Sequence, residues 1–396
     1  SAYISIFLAI YFFGFGLIQP GLGGQRPYTQ DSPWNLKIGP APLYDKFSST
    51  YINELSGVFG VDPTRYTMPV YELTGQEPVQ DILIKGIFSK VSGRAENLSL
   101  EKKVAVQVPL PLDAKAARGS DAQIIVWDPE SGREWGFWRM YKKFGKWRAQ
   151  NGYLYNTDYD GVPPIGFVSR GAGLPYLAGM IRPWEIKNGR IEHALAFTLD
   201  YPSPMFIYPA TKSDGKATPP ALPSGSRLQL DPDLSKEDFI SWGLGHTGII
   251  IAKALQEYGM ILVDSGGHPK LIAEYEETAK WNGLLDKDSV RAISYKHFKV
   301  LSLSCPSTLP PPDNLKVRRT ENGELSLKWD AVKYATRYRI YRLNEKGQEP
   351  KIPAKVITNC TYKAIPAKKE IPYAYIVKAV NWNGVGKAAK IHLKDR

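Results

Sequence analysis

Three side chains between residues 170 and 201 are of the types needed to remove a proton next to a carboxylate. His193 would act as the base, Arg170 would neutralise the carboxylate, and Tyr201 would supply a proton. This set fits β-elimination of a uronic-acid polymer, in which the proton beside the carboxylate is abstracted. The alternating residues around His193 are apolar, however, and a hydrogen-bonded core histidine explains the same pattern.

Acidic residues suggest a second chemistry, hydrolysis of a glycosidic bond by a pair of carboxyl groups. The candidates lie far apart in the chain and are Glu134, Glu185, Asp214 and Asp264. Asp214 in KSDGK and Asp264 in VDSGG also occupy sequences that are typical of turns. Because the sequence does not give the separation of these groups, we predict a turn at each aspartate rather than a catalytic pair.

The sequence indicates no metal site and no cofactor. The five histidines are scattered, and two cysteines are too few for a thiol-based site. GAG at 171–173 lacks the spacing of a dinucleotide-binding loop. An aromatic-rich region contains three candidates for stacking on sugar rings, which sandwich cores also use: Trp135, Trp138 and Trp147.

Length and composition indicate more than one domain and many short strands. The 396 residues suffice for two or three domains, and 35 glycines, 31 prolines and 23 tyrosines favour turns and aromatic-rich sheets. Strand-like segments dominate residues 25–306, and a helical pattern covers 246–259. We therefore expect a mainly β chain whose body is a β-sandwich or jelly-roll-like fold with one or two packed helices.

The C-terminal region differs from the body. A proline-rich linker at 307–314 leads into a module at 315–396 that contains LSLKWD (325–330) and PYAYIVKAVNWNGVG (372–386). From about residue 308 onward this region resembles a fibronectin type III domain, with Trp329 as its core tryptophan. The resemblance implies a seven-stranded β-sandwich that acts as a spacer or adhesion module rather than as an enzyme.

The net charge of +12 is concentrated in that module. Residues 308–396 contain 19 Lys and Arg against 8 Asp and Glu, whereas the remainder of the chain is nearly neutral. We expect the basic module to contact a polysaccharide or an anionic surface, and we expect no specific binding of nucleic acid. The near-neutral body is evidence against an anionic substrate there.

The first 24 residues form an apolar segment, without a charged residue from position 2 to position 18. Four interpretations are open: a secretory signal, a membrane anchor over residues 2–18, a pilin-like helix, or a strand donated to a neighbouring subunit. β-branched and aromatic residues favour the intersubunit strand or helix over the anchor. The candidate assembly residues are Tyr3, Ile4, Ile6, Phe7, Ile10, Phe12 and Phe13.

Together these patterns favour a non-catalytic structural subunit of an extracellular or cell-surface assembly, filamentous or pilus-like, in which the N-terminus joins copies of the chain. The alternative is a secreted polysaccharide lyase, glycoside hydrolase or carbohydrate-binding protein with a fibronectin-like accessory module. Such a compartment permits a disulfide between Cys305 and Cys360, and the sequence leaves open whether it forms.

Overall fold

The computed structural model describes most of the body and most of the C-terminal module. The described residues are 24–86, 98–99, 104–164, 167, 169–303, 309–319, 324–332, 335, 337–344, 346–350, 353–357, 359–364, 374–381 and 384–393. The expected assembly residues of the N-terminus and Cys305 lie outside these ranges. Within them, no helix has both the length and the apolar character needed to cross a bilayer.

Short strands account for most of the regular secondary structure of the body. In chain order they are β1 (Gly60–Val61), β2 (Val70–Glu72), β3 (Val79–Ile84), β4 (Leu98–Ser99), β5 (Val104–Pro109), β6 (Ile124–Asp128), β7 (Arg133–Trp138), β8 (Tyr141–Lys143), β9 (Lys146–Ala149), β10 (Asn151–Asn156), β11 (Leu195–Leu199), β12 (Ser203–Phe206), β13 (Pro223–Ser224), β14 (Arg227–Leu230), β15 (Met260–Ser265), β16 (Lys270–Leu271) and β17 (Phe298–Val300).

Helices are short apart from one. They are α1 (Ser48–Asn53), α2 (Pro183–Lys187), α3 (Lys236–Ser241), α4 (His246–Glu257) and α5 (Glu276–Ala279), with a 3-10 turn at Tyr295–His297. The helix expected at 246–259 is α4, and the chain leaves it through Gly259 at φ +69°, a backbone conformation that glycine adopts without strain. The mainly β fold with a few packed helices is therefore confirmed.

The body is built in layers. A six-stranded sheet has the order β1-β16-β11-β15-β14-β17, a five-stranded sheet β2-β6-β7-β10-β4, and a four-stranded sheet β5-β3-β9-β8. Strands β12 and β13 form a small separate pair. Helices α3 and α4 pack on the outer face of the six-stranded sheet, where Phe239, Ile251 and Leu255 join its core.

The central strands are buried on both faces. In β15, Met260 and Leu262 belong to the core under the helices, while Ile261 and Val263 belong to the core shared with the five-stranded sheet. A strand covered on both faces needs apolar residues at successive positions, which is the pattern of MILV. Strands that pair in parallel are usually covered on both faces, and β15 pairs in parallel with β11. The sequence analysis did not anticipate this parallel pairing.

A third core lies between the five-stranded and four-stranded sheets. Trp135 and Phe137 of β7 project into it, and Trp147 of β9 closes it from the other side. The opposite face of β7 carries Glu134 and Gly136 toward the six-stranded sheet, as alternation along a strand requires. A side chain at Gly136 would overlap the Tyr153 ring, since its Cβ would lie 2.2 Å from that ring.

The C-terminal module has the strand order of a fibronectin type III domain, and the predicted resemblance is confirmed. Its strands are β18 (Lys316–Arg319), β19 (Leu325–Lys328), β20 (Arg337–Arg342), β21 (Lys355–Ile357), β22 (Thr361–Ala364), β23 (Ala374–Asn381) and β24 (Gly384–His392). One sheet is β18-β19-β22 and the other β21-β20-β23-β24. Trp329 is 2% exposed in the core between them.

The packing of the module begins inside the expected linker. Leu309 is buried in the module core, and its carbonyl accepts a hydrogen bond of 2.8 Å from the backbone N–H of Lys387. The proline-rich segment is therefore partly integrated into the sandwich.

An ion cluster joins the module to the body. The Arg339 guanidinium on β20 pairs with Asp31, which is 1% exposed, and its Nη2 lies 3.6 Å from the Asp160 carboxylate. Burial raises the pKa of Asp160, whereas the charge of Arg339 opposes that rise. Two body carboxylates thus depend on one cation of the module.

Replacing Arg339 with Met should uncouple the two domains. The change leaves Asp31 and Asp160 without their cation, and breaking a buried ion pair costs about 3–5 kcal/mol. Differential scanning calorimetry should then show separate transitions for the module and the body. Arg337→Met on the same strand is the matched control, and an unchanged melting profile in the Arg339 variant would contradict the interpretation.

Candidate functional site

The candidate site lies where the parallel strands β11 and β15 end. Thr198 pairs with Asp264 there, after an irregularity in the register between Phe197 and Thr198. The carboxyl ends of neighbouring parallel strands meet at one edge of a sheet, so the polar residues that follow each apolar run gather at that edge. Asp264 is half-buried at this position.

Two aspartates meet at this edge. Asp214 arrives on the loop after β12, and its carboxyl group is hydrogen-bonded to that of Asp264. The backbone N–H of Gly171 donates to Asp264 Oδ1 at 3.0 Å, and the Ser265 hydroxyl donates to Asp214 Oδ2 at 2.8 Å. The turn predicted at Asp264 was wrong, because Asp264 lies in strand β15, where it contacts Asp214.

Glycines allow the loops to approach each other. A Cβ at Gly171 would lie 2.2 Å from Asp214 Oδ1, and a Cβ at Gly215 would lie 2.3 Å from the carbonyl oxygens of Pro202 and Ser203. GAG at 171–173 therefore has a steric role, since it makes room for the aspartate loop.

The pair retains a proton at neutral pH. Burial, together with the neighbouring charge of Asp214, raises the pKa of Asp264 to about 8. Two carboxyl groups in contact ionise together only at high cost, so one stays neutral and donates a hydrogen bond to the other. Lys212 approaches the same pair, and burial lowers its pKa although both carboxylates oppose that change.

Asp264 also lines a cavity of about 400 Å³, a volume within the range of small-ligand sites. Its lining includes both charges and an aromatic ring. The polar and aromatic members are Tyr66, Asp121, Gln123, Arg170, Thr198, Ser265, His268 and Lys270.

Two cations in the cavity wall are buried. Lys270 is 5% exposed, and its Nζ donates to the carbonyls of Arg65 at 2.9 Å and Tyr66 at 3.1 Å. Arg170 is 3% exposed, and its two Nη groups donate to the carbonyls of Ala178 and Tyr176. Burial lowers the pKa of Lys270 to about 8 and also lowers that of Arg170.

A buried glutamate holds the segment that carries Arg170. Glu134 accepts hydrogen bonds from the Tyr28 hydroxyl at 2.9 Å, the Tyr153 hydroxyl at 2.6 Å and the backbone N–H of Leu177 at 3.1 Å. Burial raises the pKa of Glu134, whereas these donors lower it. Glu134 therefore ties residues 170–177 to the five-stranded sheet and is not a solvent-accessible catalytic group.

His193 and Glu185 form a separate buried pair. His193 Nε2 lies 2.9 Å from Glu185 Oε1, and Nδ1 lies 2.9 Å from the carbonyl of Ala194, so both ring nitrogens face acceptors. Burial opposes the charged ring, but Glu185 outweighs it and raises the pKa of His193. A ring that holds both protons is poorly suited to act as a base.

The other predicted residues are not gathered around His193. Arg170 lies in the wall of the Asp264 cavity, and Tyr201 is 78% exposed at a separate cavity of about 160 Å³. Trp135 and Trp147 are buried in the third core, which keeps their rings from stacking on a sugar. Trp138 is half-buried, and its Nε1 donates to Asp121 Oδ1 at 3.1 Å.

Several residues of the cavity were missed by the sequence analysis, chiefly Tyr66, Asp121 and Lys270. Lys270 comes three residues after VDSGG, the segment that ends an apolar run. Its place just beyond a buried strand is the sequence signal that could have identified it. In the described ranges, no group of three or more His, Cys, Asp or Glu residues is arranged to hold a metal ion.

Comparison of the chain with models of protein families gives no match, and comparison with curated proteins gives none either. Several solved structures are similar to about a fifth of the chain. A Fn3-like protein from Clostridium thermocellum is 22% identical over 22% of this chain and 93% of its own, with a TM-score of 0.20. The FN3 domain of human collagen XX is 18% identical with the same coverages and a TM-score of 0.19. FN3tt is 20% identical over 22% of this chain and 94% of its own, with a TM-score of 0.20.

Replacing Asp264 with Asn should change the pH dependence of stability. The folded protein keeps the Asp264 proton up to about pH 8, whereas the unfolded chain releases it near pH 4, so wild-type stability falls between these values as pH rises. Asn is neutral at every pH and avoids that loss. We expect the melting temperature of the variant to gain several degrees on wild type between pH 5 and pH 9. A difference that stays constant with pH, measured by circular dichroism, would refute the assignment.

Proposed function

We propose that the body is a carbohydrate-active enzyme that cleaves glycosidic bonds with Asp264 as its general acid. The observation that carries this proposal is the contact between Asp214 and Asp264, because it keeps a proton on a carboxyl group that lines a ligand-sized cavity. A general acid needs a pKa near the working pH, and Asp264 meets that need. The fibronectin type III module would serve as its accessory module.

The pair itself is not the two-carboxylate arrangement that flanks a sugar in most glycosidases. Those groups stand about 5 Å or more apart, whereas Asp214 and Asp264 are hydrogen-bonded to each other. Asp214 therefore acts on the pKa of Asp264, and a different group must face the anomeric carbon. Asp121 lines the same cavity and supplies that second carboxylate.

In this mechanism Asp264 donates its proton to the glycosidic oxygen as the bond to the anomeric carbon breaks. Asp121 either accepts a proton from the attacking water or attacks the sugar itself. The proton from Asp264 completes the hydroxyl group of the leaving sugar. Water adds to the anomeric carbon and gives the second product. The anomeric configuration of the product distinguishes the two courses, since a nucleophilic Asp121 gives retention and a base gives inversion.

Asp264→Asn should lower kcat/KM for polysaccharide cleavage by about 10²–10⁴-fold, because the amide has no proton to donate at this pKa. Asp214→Asn removes the charge that raises the pKa of Asp264, so its rate should fall at lower pH than that of wild type, where the fall occurs near pH 8. Reducing-end release from a panel of neutral and uronic polysaccharides measures both effects.

The exposed Asp233 provides the matched control, and Asp233→Asn should retain activity. Glu185→Gln and His193→Ala test a second set of catalytic candidates derived from the sequence, which contains the elimination base His193 and the hydrolytic carboxylate Glu185. Activity that survives Asp264→Asn but is lost in either of these two variants would replace the proposal with that set.

The structural-subunit hypothesis stays a prediction, because the residues it depends on precede residue 24. It places the protein outside the cell or at its surface and joins copies through the apolar N-terminus. We expect deletion of residues 1–19 to reduce particle size in light scattering and electron micrographs, since burial of apolar area would drive the assembly. Assemblies unchanged by the deletion would refute it without affecting the enzymatic proposal.

A further inference from the structure

The Asp264 cavity presents positive charge that the described part of the protein does not neutralise by contact. Neither Lys270 nor Arg170 has a carboxylate within ion-pair distance among the described residues. Both cations are more than nine-tenths buried. Removing a charge from water without a partner is costly, so a ligand anion at this wall would recover part of that cost.

Both cations also retain unused hydrogen-bond donors. An ammonium group has three, and Lys270 Nζ gives two of them to the carbonyls of Arg65 and Tyr66. Arg170 Nε is buried without a hydrogen-bond partner among the described residues. The remaining Lys270 donor at the cavity wall is suited to an oxygen of a carboxylate or sulfate, and Arg170 adds a positive charge to the same wall.

An aromatic ring lies beside Lys270. Tyr66 is 56% exposed, lines the cavity, and has the Lys270 ammonium 5.4 Å from its ring centroid. Its backbone is left-handed at φ 50°, a strained conformation for an aromatic residue, and the hydrogen bond from Lys270 to its carbonyl helps to hold it. A flat apolar face next to a cation matches a sugar ring that carries an anionic substituent.

We propose that this cavity binds an acidic sugar, with the pyranose ring stacked on Tyr66 and the anionic substituent held by Lys270 and Arg170. This inference names the substrate class of the proposed enzyme. It rests on the proposed function for the claim that a glycosidic bond is cut. Binding itself does not depend on turnover, so the two claims are tested separately.

The test measures binding by isothermal titration calorimetry to the full chain carrying Asp264→Asn, which slows turnover and replaces a neutral carboxyl group with a neutral amide. The probes are trisaccharides of galacturonate, glucuronate and mannuronate, the same sugars with their carboxyl groups reduced to alcohols, and sulfated galactose trisaccharide. At least one acidic probe should bind about 10- to 100-fold more tightly than its neutral counterpart. The relative affinities of the carboxylate and sulfate probes show which of these two anionic groups the cavity prefers.

Variants at position 270 separate charge from structure. Lys270→Met keeps an unbranched side chain of nearly the same length but removes its charge, and it should abolish the preference for the acidic probe, whereas Lys270→Arg should retain it. Thermal melting of the free variants checks that both are folded. Tyr66→Ala should weaken acidic and neutral probes alike by about 3- to 10-fold, while Tyr66→Phe should not.

The inference would be overturned by equal affinity for acidic and neutral probes, by a preference that survives Lys270→Met, or by no binding of any trisaccharide. Inorganic phosphate that binds as tightly as the acidic sugars would also overturn it, because the cavity would then recognise a bare anion. Acidic-sugar binding without bond cleavage by the wild-type protein would refute the proposed function and leave this inference standing.

Discussion

Burial of β11 and β15 on both faces is the constraint on which the rest of the body depends. Helices cover one face of these strands and the five-stranded sheet covers the other, so the strands can be apolar at every position until they leave the core. Polar residues then appear together at the edge where the parallel strands end. Asp264 and Thr198 are adjacent for this reason, and the loops that carry Asp214 and Gly171 close over them.

The sequence predicts elements whose signal is local. Alternation and turn residues identify the strands, the 3.6-residue period identifies α4, and a run of matched segments identifies the fibronectin type III module around Trp329. These features need only a short window of chain. The layered arrangement of the body depends instead on which sheet covers which face, and the apolar run of β15 does not specify its partners.

The sequence could not predict the aspartate pair either, because the pair depends on contacts between distant segments. Asp214 and Asp264 are fifty positions apart, and their contact depends on space left by Gly171 and on a hydrogen bond from its backbone. The pKa of Lys270 is likewise lowered by burial, in a position where its ammonium donates to backbone carbonyls. The near-neutral charge of the body as a whole conceals this local imbalance, since total charge does not report where individual charges are desolvated.

The contact between Arg339 and the two body aspartates connects the module to the body in addition to the covalent linker. A flexible linker alone would let the sandwich rotate freely, whereas a cation of β20 bound to two body carboxylates restricts that rotation. Asp31 follows the Tyr28 and Thr29 segment, which is itself hydrogen-bonded to residues 157 and 159. Any reorientation of the module relative to the body must therefore break a largely buried ion pair.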